Sequence, residues 1–463
     1  MRKTWLRIPA LFLCLVMLSA MTLAEQPKGA IDLEKIKEEY KYGDVLTFDT
    51  NGQLTEENRA VEGKDGVVSS QRYEASRIGA DIIAKGGNAV DAAVAAAFAL
   101  GVCEPNASGM GGGGFMTYRN GETGETIFID FREVAPGAAT EDMYPQDENG
   151  KVIGNIMARG GKAVAVPGEV AGLMYILDNY GTMSRQEVLQ PAIDLANEGY
   201  LVTAKTNTTL TDAYQLMVDY PELGKRFLGE DGLPPEVGSY IKNPDIAKTL
   251  GIIAEKGAAG FYEGEVAQAL VDAAAKYGGI ITLEDLKNYK ITVKEPVEGT
   301  YRGFKIYSAP PPSSGGTHLI QILNILENFD VGAMKPYSAE HMHLLAEAFK
   351  MVYLNRSTYM GDPDYVKVPL KGLIDKDYAK LLAAKIEDDK SKSYEVEDPW
   401  LYEGTDTSHL SVSDKAGNMI GITKTINYYY GSGVAVDGYG FILNNEMDDF
   451  SSKPGGPNSV QPG

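Results

Sequence analysis

Basic charge is the first thing this sequence is short of. Only 43 Lys and Arg stand against 64 Asp and Glu, a formal net charge of −21. Proteins that grip a phosphate backbone carry a basic stripe or patch, so no nucleic-acid partner is expected. Cysteine is scarcer still, with two in the chain. Cys14 lies in an N-terminal apolar run and leaves when that run is removed; Cys103 is then alone and no internal disulfide is expected. Histidine occurs four times and no Gly-x-Ser-x-Gly elbow is present, which together weigh against a Ser-His-Asp hydrolase. Beyond the N-terminus, no run is long and apolar enough to span a bilayer, which takes about 20 residues.

What is present begins with "MRKTWLRIPALFLCLVMLSAMTLAEQP". Arg2, Lys3 and Arg7 precede an apolar stretch from Ile8 to Leu18, and Thr22-Leu23-Ala24 supplies small residues for cleavage. Residues 1–24 are therefore expected to be a secretory signal peptide, giving an exported protein, periplasmic or extracellular, with no stable membrane span after cleavage. An uncleaved anchor is the alternative. The bulky Leu11-Phe12-Leu13 before Cys14 argues against lipidation there. Residues 25–66 are charged and weakly patterned, an exposed lead-in, and the chain turns globular from Val67.

"YEASRIGADIIAKGGNAVDAAVAAAFALGVCEP" predicts two Ala-rich helices broken at Gly86-Gly87 and able to approach closely. "GMGGGGFMTYRN" leads into a strand, and "ETIFIDFREVAP" is a second strand running to Arg132 and stopped by Pro136. The glycine run lacks the Lys-Ser/Thr of a phosphate loop; a tight turn, or backbone passing close to another group, fits it better. Residues 160–300 read as mostly helical, with Thr282 as an N-cap. "GTYRGFKIYSAPPPSSGG" reads as one strand ended by three prolines, and "AEHMHLLAEAFKMVYLNR" as an amphipathic helix. His341 and His343 are two apart on that helix and point away from each other, so with Glu347 they make no metal site. Residues 386–406 form a charged, exposed connector.

The connector ends at "GTDTSHLSVSDKAGNMIGITKTIN". Asp414 to Asn418 has hairpin-turn chemistry. Pairing Ser413 with Met419 sets Ser411 opposite Gly421, His409 opposite Thr423 and Thr407 opposite Thr425. Thr407, Thr423, Thr425 and Asn427 then share one face, while Leu410, Val412, Ile420 and Ile422 share the core face. A Thr hydroxyl is a weak nucleophile without a base. Cutting the bond between Asp406 and Thr407 would create one, an α-amine with a pKa of ~7.7–8.0, close to working pH. The alternative is a polar strand face with threonines chosen for sheet propensity. Downstream, "GFILNNEMDDFS" places Glu446, Asp448 and Asp449 just past an apolar strand, able to hold a cationic amine or to be a solvated acidic turn.

These stretches resemble the γ-glutamyltransferase (γ-glutamyltranspeptidase) family of N-terminal-nucleophile hydrolases. "TSHLSVSDKAGNMIGITKTIN" resembles the start of the family's small subunit, and "GFILNNEMDDFS" its segment for the γ-glutamyl amino acid. "GMGGGGFM", "IDFREVAP" and "APPPSSGGTHLIQILNILE" resemble landmarks of its large subunit, all in family order after about residue 65. The resemblance implies an α/β (α+β) fold, a four-layer αββα sandwich. It also implies a precursor cut before its nucleophile, with residues 67–406 as the large-subunit part and 407–463 as the start of the small-subunit part.

Carried over residue by residue, Thr407 is the nucleophile and new N-terminus, and Thr425 assists it. Arg132 clamps the substrate α-carboxylate, Asn427 lies near it, and Glu446 and Asp449 hold the α-amino group. The implied reaction passes the γ-glutamyl group of glutathione and related compounds through a threonyl ester to water or an acceptor amino acid or peptide, with no metal or organic cofactor. The family's small subunit runs well beyond the stretch from Thr407 to Gly463. Its Ser-Ser carboxylate grip and Gly-Gly oxyanion hole have no counterpart here, so the fold is expected to be incomplete at the C-terminus and the chain weak or inactive. Little or no lid loop is expected after Asp449. Two alternatives stay open: a cephalosporin or glutaryl acylase-like amidohydrolase, and a non-catalytic exported amino-acid- or peptide-binding remnant.

Overall fold

The computed structural model describes residues 63–361, 367–394, 408–452 and 459–460. The expected signal peptide, almost all of the lead-in, the later part of the connector, and Asp406 and Thr407 lie outside these residues.

The strands are β1 (Gly66–Ser70), β2 (Gly113–Arg119), β3 (Thr126–Asp130), β4 (Thr292–Lys294), β5 (Val297–Tyr301), β6 (Phe304–Ser308), β7 (Ser408–Asp414) and β8 (Met419–Thr425). Six of them form one antiparallel sheet in the order β1-β7-β8-β2-β3-β4. The β7–β8 register is the expected one, with Ser413 opposite Met419, Ser411 opposite Gly421 and His409 opposite Thr423. Its turn closes through Asp414, whose amide donates to Asn418 O and whose carboxylate accepts from the Ala416 and Asn418 amides; Gly417 there has φ +83°.

The helices that matter for the site are α1 (Tyr73–Ala84), α2 (Ala89–Cys103), α3 (Glu169–Tyr180), α4 (Leu283–Asn288), α5 (Gly315–Leu326) and α6 (Ala339–Tyr359). Every residue of α2 is buried. It lies between α1 and the sheet face carrying Leu410, Val412, Ile420 and Ile422, all at most 4% exposed. Small residues permit this: a Cβ on Gly79 of α1 would sit 3.1 Å from Ala92 O of α2. The start of α2 is fixed by a capping box between Asn88 and Asp91. The fully buried Asp91 carboxylate also accepts from the Thr182 and Met183 amides and the Thr182 hydroxyl, tying α2 to the chain after α3. Around this layer, Phe98, Phe128 and Phe131 are at most 1% exposed, each worth ~1.5–3 kcal/mol of burial.

The α+β class stands, with a mainly antiparallel sheet. The described residues supply a helix layer and one sheet of the expected sandwich. The opposite face of β7 and β8 exposes His409, Ser411, Met419 and Thr423. Two local expectations need correction. The strand expected to reach Arg132 ends at Asp130; Phe131 still exchanges both backbone hydrogen bonds with Gly114, and the Arg132 amide then donates to the Asp130 side chain instead of a neighbouring strand. The single strand expected around Tyr301–Ser308 is the β5–β6 hairpin, turned by Arg302 (φ +48°) and Gly303 (φ +88°); two positive φ values in succession match the twist of a tight hairpin. Among residues 160–300, a further two-stranded ribbon pairs Tyr200–Leu201 with Tyr240–Ile241. Among the described residues no helix is long and apolar enough to cross a membrane.

Candidate active site

The site is built at the end of β8, where the glycine run passes. A Cβ on Gly112 would stand 1.9 Å from Thr425 O, one on Gly114 2.1 Å from Thr423 O, and one on Gly111 1.9 Å from Ile442 O. The run therefore serves close backbone approach, as its composition led us to expect. Gly112 O in turn accepts from the Gly168 and Glu169 amides at the start of α3.

Thr425 is 5% exposed, and its hydroxyl accepts from the Asn427 amide at 2.9 Å. Asn427 has φ +71°, a left-handed conformation that Asn tolerates better than most residues. That turn aims its side chain at the 446–449 turn, where Nδ2 donates to Asn445 O at 3.1 Å and to Asp449 Oδ1 at 3.2 Å. Asn444, fully buried, pins this turn from below: its Nδ2 donates to Gly111 O and Ala165 O, and its Oδ1 accepts from the Ala165 and Glu446 amides. A single 3-10 turn, Glu446–Asp449, then presents the acids.

Arg132 arrives from the far side of the sheet. Its guanidinium pairs with Glu446 and donates to Asp449 Oδ2 at 3.2 Å, with its Cζ 5.6 Å from the Phe115 ring centroid. So Arg132, Asn427, Glu446 and Asp449 converge, and Thr425 stands two residues from Asn427. Asp448 turns away from Arg132 and faces the Tyr428 hydroxyl; burial raises its carboxyl above the ordinary value. Asp406 and Thr407 lie outside the described residues, and with them the expected pairing of Thr407 and Thr425. His341 and His343 go separate ways: the His341 ring accepts from the Tyr337 amide, and His343 Nε2 bonds Glu387 O. Glu347 is held by Lys350, Ser391 and Tyr394.

The gamma-glutamyltranspeptidase family model matches residues 75–463. The chain belongs to that family. It is 45% identical to a glutathione hydrolase proenzyme of Escherichia coli over 408 residues, covering 86% of this chain and 69% of the relative. It is 41% identical to an acylase ACY 1 proenzyme of a Pseudomonas species, covering 89% of this chain and 74% of that one. The crystal structure of Helicobacter pylori gamma-glutamyltranspeptidase superposes with a TM-score of 0.70 at 42% identity, covering 75% of this chain and 99% of that one.

Within this family fold, three features escaped the reading of the sequence. Glu133, next to Arg132, is 8% exposed, and neither carboxylate oxygen has a hydrogen-bond partner; Arg132 Nε is 3.8 Å away. Burial pushes its carboxyl up to about 7, against the pull of the Arg132 charge. Tyr289, just after α4, donates its hydroxyl to Arg132 O at 2.8 Å. Lys424, between Thr423 and Thr425, is fully buried and pairs with the equally buried Glu169. The period-2 pattern held a signal for Lys424, since it shares a face with Ile420 and Ile422. Nothing local marked Glu133 or Tyr289.

Proposed function

We propose that this chain is the precursor of an exported γ-glutamyl acyltransferase and glutathione hydrolase. Residues 1–24 direct export, 25–66 lead in, 67–406 form the large-subunit part, and 407–463 begin the small-subunit part. The Thr407 hydroxyl attacks the Asp406 carbonyl, the acyl group shifts from nitrogen to oxygen, and water hydrolyses that ester, leaving an Asp406 carboxylate and a free Thr407 α-amine. That amine takes the proton as the Thr407 hydroxyl attacks the γ-amide carbonyl of glutathione or a related compound. The resulting ammonium passes that proton to the substrate's amide nitrogen, the carbon–nitrogen bond breaks, the substrate's amine leaves, and a γ-glutamyl ester remains on Thr407. Water or an acceptor amino acid or peptide then receives the acyl group. Thr425 supports the hydroxyl. No metal or organic cofactor takes part in this scheme.

The observation that carries the reading is the clasp of Arg132 by Glu446 and Asp449, with Asn427 on Asp449. A guanidinium and two carboxylates that pair with each other are complementary to a zwitterion. An α-amino acid head group exchanges this internal pairing for two of its own, its carboxylate on Arg132 and its ammonium on Glu446 and Asp449. A plain dicarboxylate would meet the two acids with a charge of the same sign, which favours the γ-glutamyl reading over the acylase one.

The test is to incubate the chain, freed of residues 1–24, with glutathione and separately with a glutaryl amide that lacks the α-amino group. Release of glutamate from the first and no glutarate from the second supports the proposal. The reverse preference establishes the acylase reading. Tight glutathione binding with no release from either marks a binding remnant.

A further inference from the structure

Lys424 is, among the described residues, the only buried Lys or Arg. Its ammonium has no exposure and donates to Ala97 O at 2.6 Å and to Glu169 Oε1 at 2.7 Å. Each partner belongs to a different helix. Ala97 lies inside α2, and Glu169 is the first residue of α3. Gly101, one turn after Ala97, borders the ammonium: a Cβ there would be in ordinary contact with Lys424 Nζ at 3.9 Å, and its close neighbour is Gly109 Cα at 3.3 Å. Charge is rarely placed this deep without a specific use, because desolvation can cancel the attraction.

The use is legible in what the pair connects. Glu169 and Gly168 donate their amides to Gly112 O, and Gly112 packs directly on Thr425 O. Lys424 precedes Thr425 on β8. The end of β8 is thus held twice by the start of α3, once through the Lys424 side chain and once through the Gly112 backbone. Arg132, Glu446 and Asp449 take no part in either hold. Resting on the acyl-transfer reading above, we propose that Lys424 is a positioning residue: with Glu169 it fixes the end of β8, and so sets the Thr425 hydroxyl for self-cleavage and acyl transfer, without contributing to the binding of the amino-acid head group. A displacement of about 1 Å at a reacting group can cost ~10²-fold in rate.

Removing one partner would leave an uncompensated buried charge, so the test removes both. In a Thr407→Ala background, which keeps one uncut chain, amide hydrogen exchange is compared with and without K424M/E169Q, and with K424Q/E169Q as a second version. The peptide spanning Thr425 to Asn427 is expected to exchange at least tenfold faster, with α1 and the Ser411–Ile420 hairpin unchanged. Glutamate binding, read by calorimetry, is expected to stay within about twofold. Unchanged exchange at Thr425–Asn427 overturns the proposal. So does a uniform rise across the molecule, failure of both double variants to fold, or an equal loss of glutamate binding, since each makes the pair a general staple. The chain with Thr407 restored is followed in parallel by intact mass. If it never cuts before Thr407, the acyl-transfer reading fails while the exchange result still decides the anchor. If it cuts, the double variants are expected to cut at least tenfold more slowly.

Discussion

The Glu133→Gln substitution should change how stability depends on pH. Both Glu133 oxygens are buried without hydrogen-bond partners, and burial raises the carboxyl from an ordinary 4.5 to about 7. The native chain therefore keeps a proton that the unfolded chain releases near 4.5. The resulting stability is fully present below pH 4.5 and is lost as pH rises through about 7. At ~1.4 kcal/mol per tenfold change in protonation, the interval from 4.5 to about 7 is worth about 3 kcal/mol. Gln keeps the shape and cannot ionise. Urea unfolding in the uncut Thr407→Ala background, at steps from pH 4.5 to 8, reads the difference between Glu133 and Gln. That difference should move by about 3 kcal/mol in favour of Gln as pH rises. A difference that stays flat across the range would refute the reasoning and mean that Glu133 is ionised throughout, with Arg132 offsetting its burial.

Other substitutions test the site from different sides. Arg132→Lys should raise the KM for glutathione by ten- to a hundredfold with a smaller effect on kcat, because an ammonium cannot make the guanidinium's paired hydrogen bonds; a steady-state comparison checks it. Tyr289→Phe deletes the hydroxyl that holds Arg132 O; it should lower stability by about 1 kcal/mol and raise the same KM severalfold, read by urea unfolding and initial rates. Gly112→Ala puts a methyl 1.9 Å from Thr425 O and should cost at least ~1–3 kcal/mol and stop self-cleavage, visible on a gel. Asp91→Ala strips four donors of their acceptor and should cost more than the ~1 kcal/mol of an ordinary cap, again by urea unfolding.

The legible parts of the fold are those governed by short-range periodicity. The β7–β8 register followed from alternating Leu410, Val412, Ile420 and Ile422 around an Asp-Lys-Ala-Gly-Asn turn. The need for glycine at 111–114 followed from composition, though not which carbonyls press on it. The β5–β6 turn was missed because Arg302, a non-glycine residue, takes positive φ there. The strand end before Arg132 was missed because no turn residue marks it; the Arg132 amide is taken by the Asp130 side chain.

Of the site, Arg132, Thr425, Asn427, Glu446 and Asp449 could be named from the family resemblance. Their convergence could not be reached from spacing, since Arg132 and Glu446 lie 314 residues apart. Lys424 and Glu169 are 255 apart. Alternation along β8 sets Lys424 on the core face with Ile420 and Ile422, but not which carboxylate it meets there.

The central claim is that a nucleophile is made at Thr407 by cutting its own chain. Intact mass of the signal-free protein after incubation, beside a Thr407→Ala copy, tests it most directly. The account predicts two fragments that break before Thr407 in the first sample and one whole chain in the second. A single uncut mass in both, or the same cut in both, would contradict it.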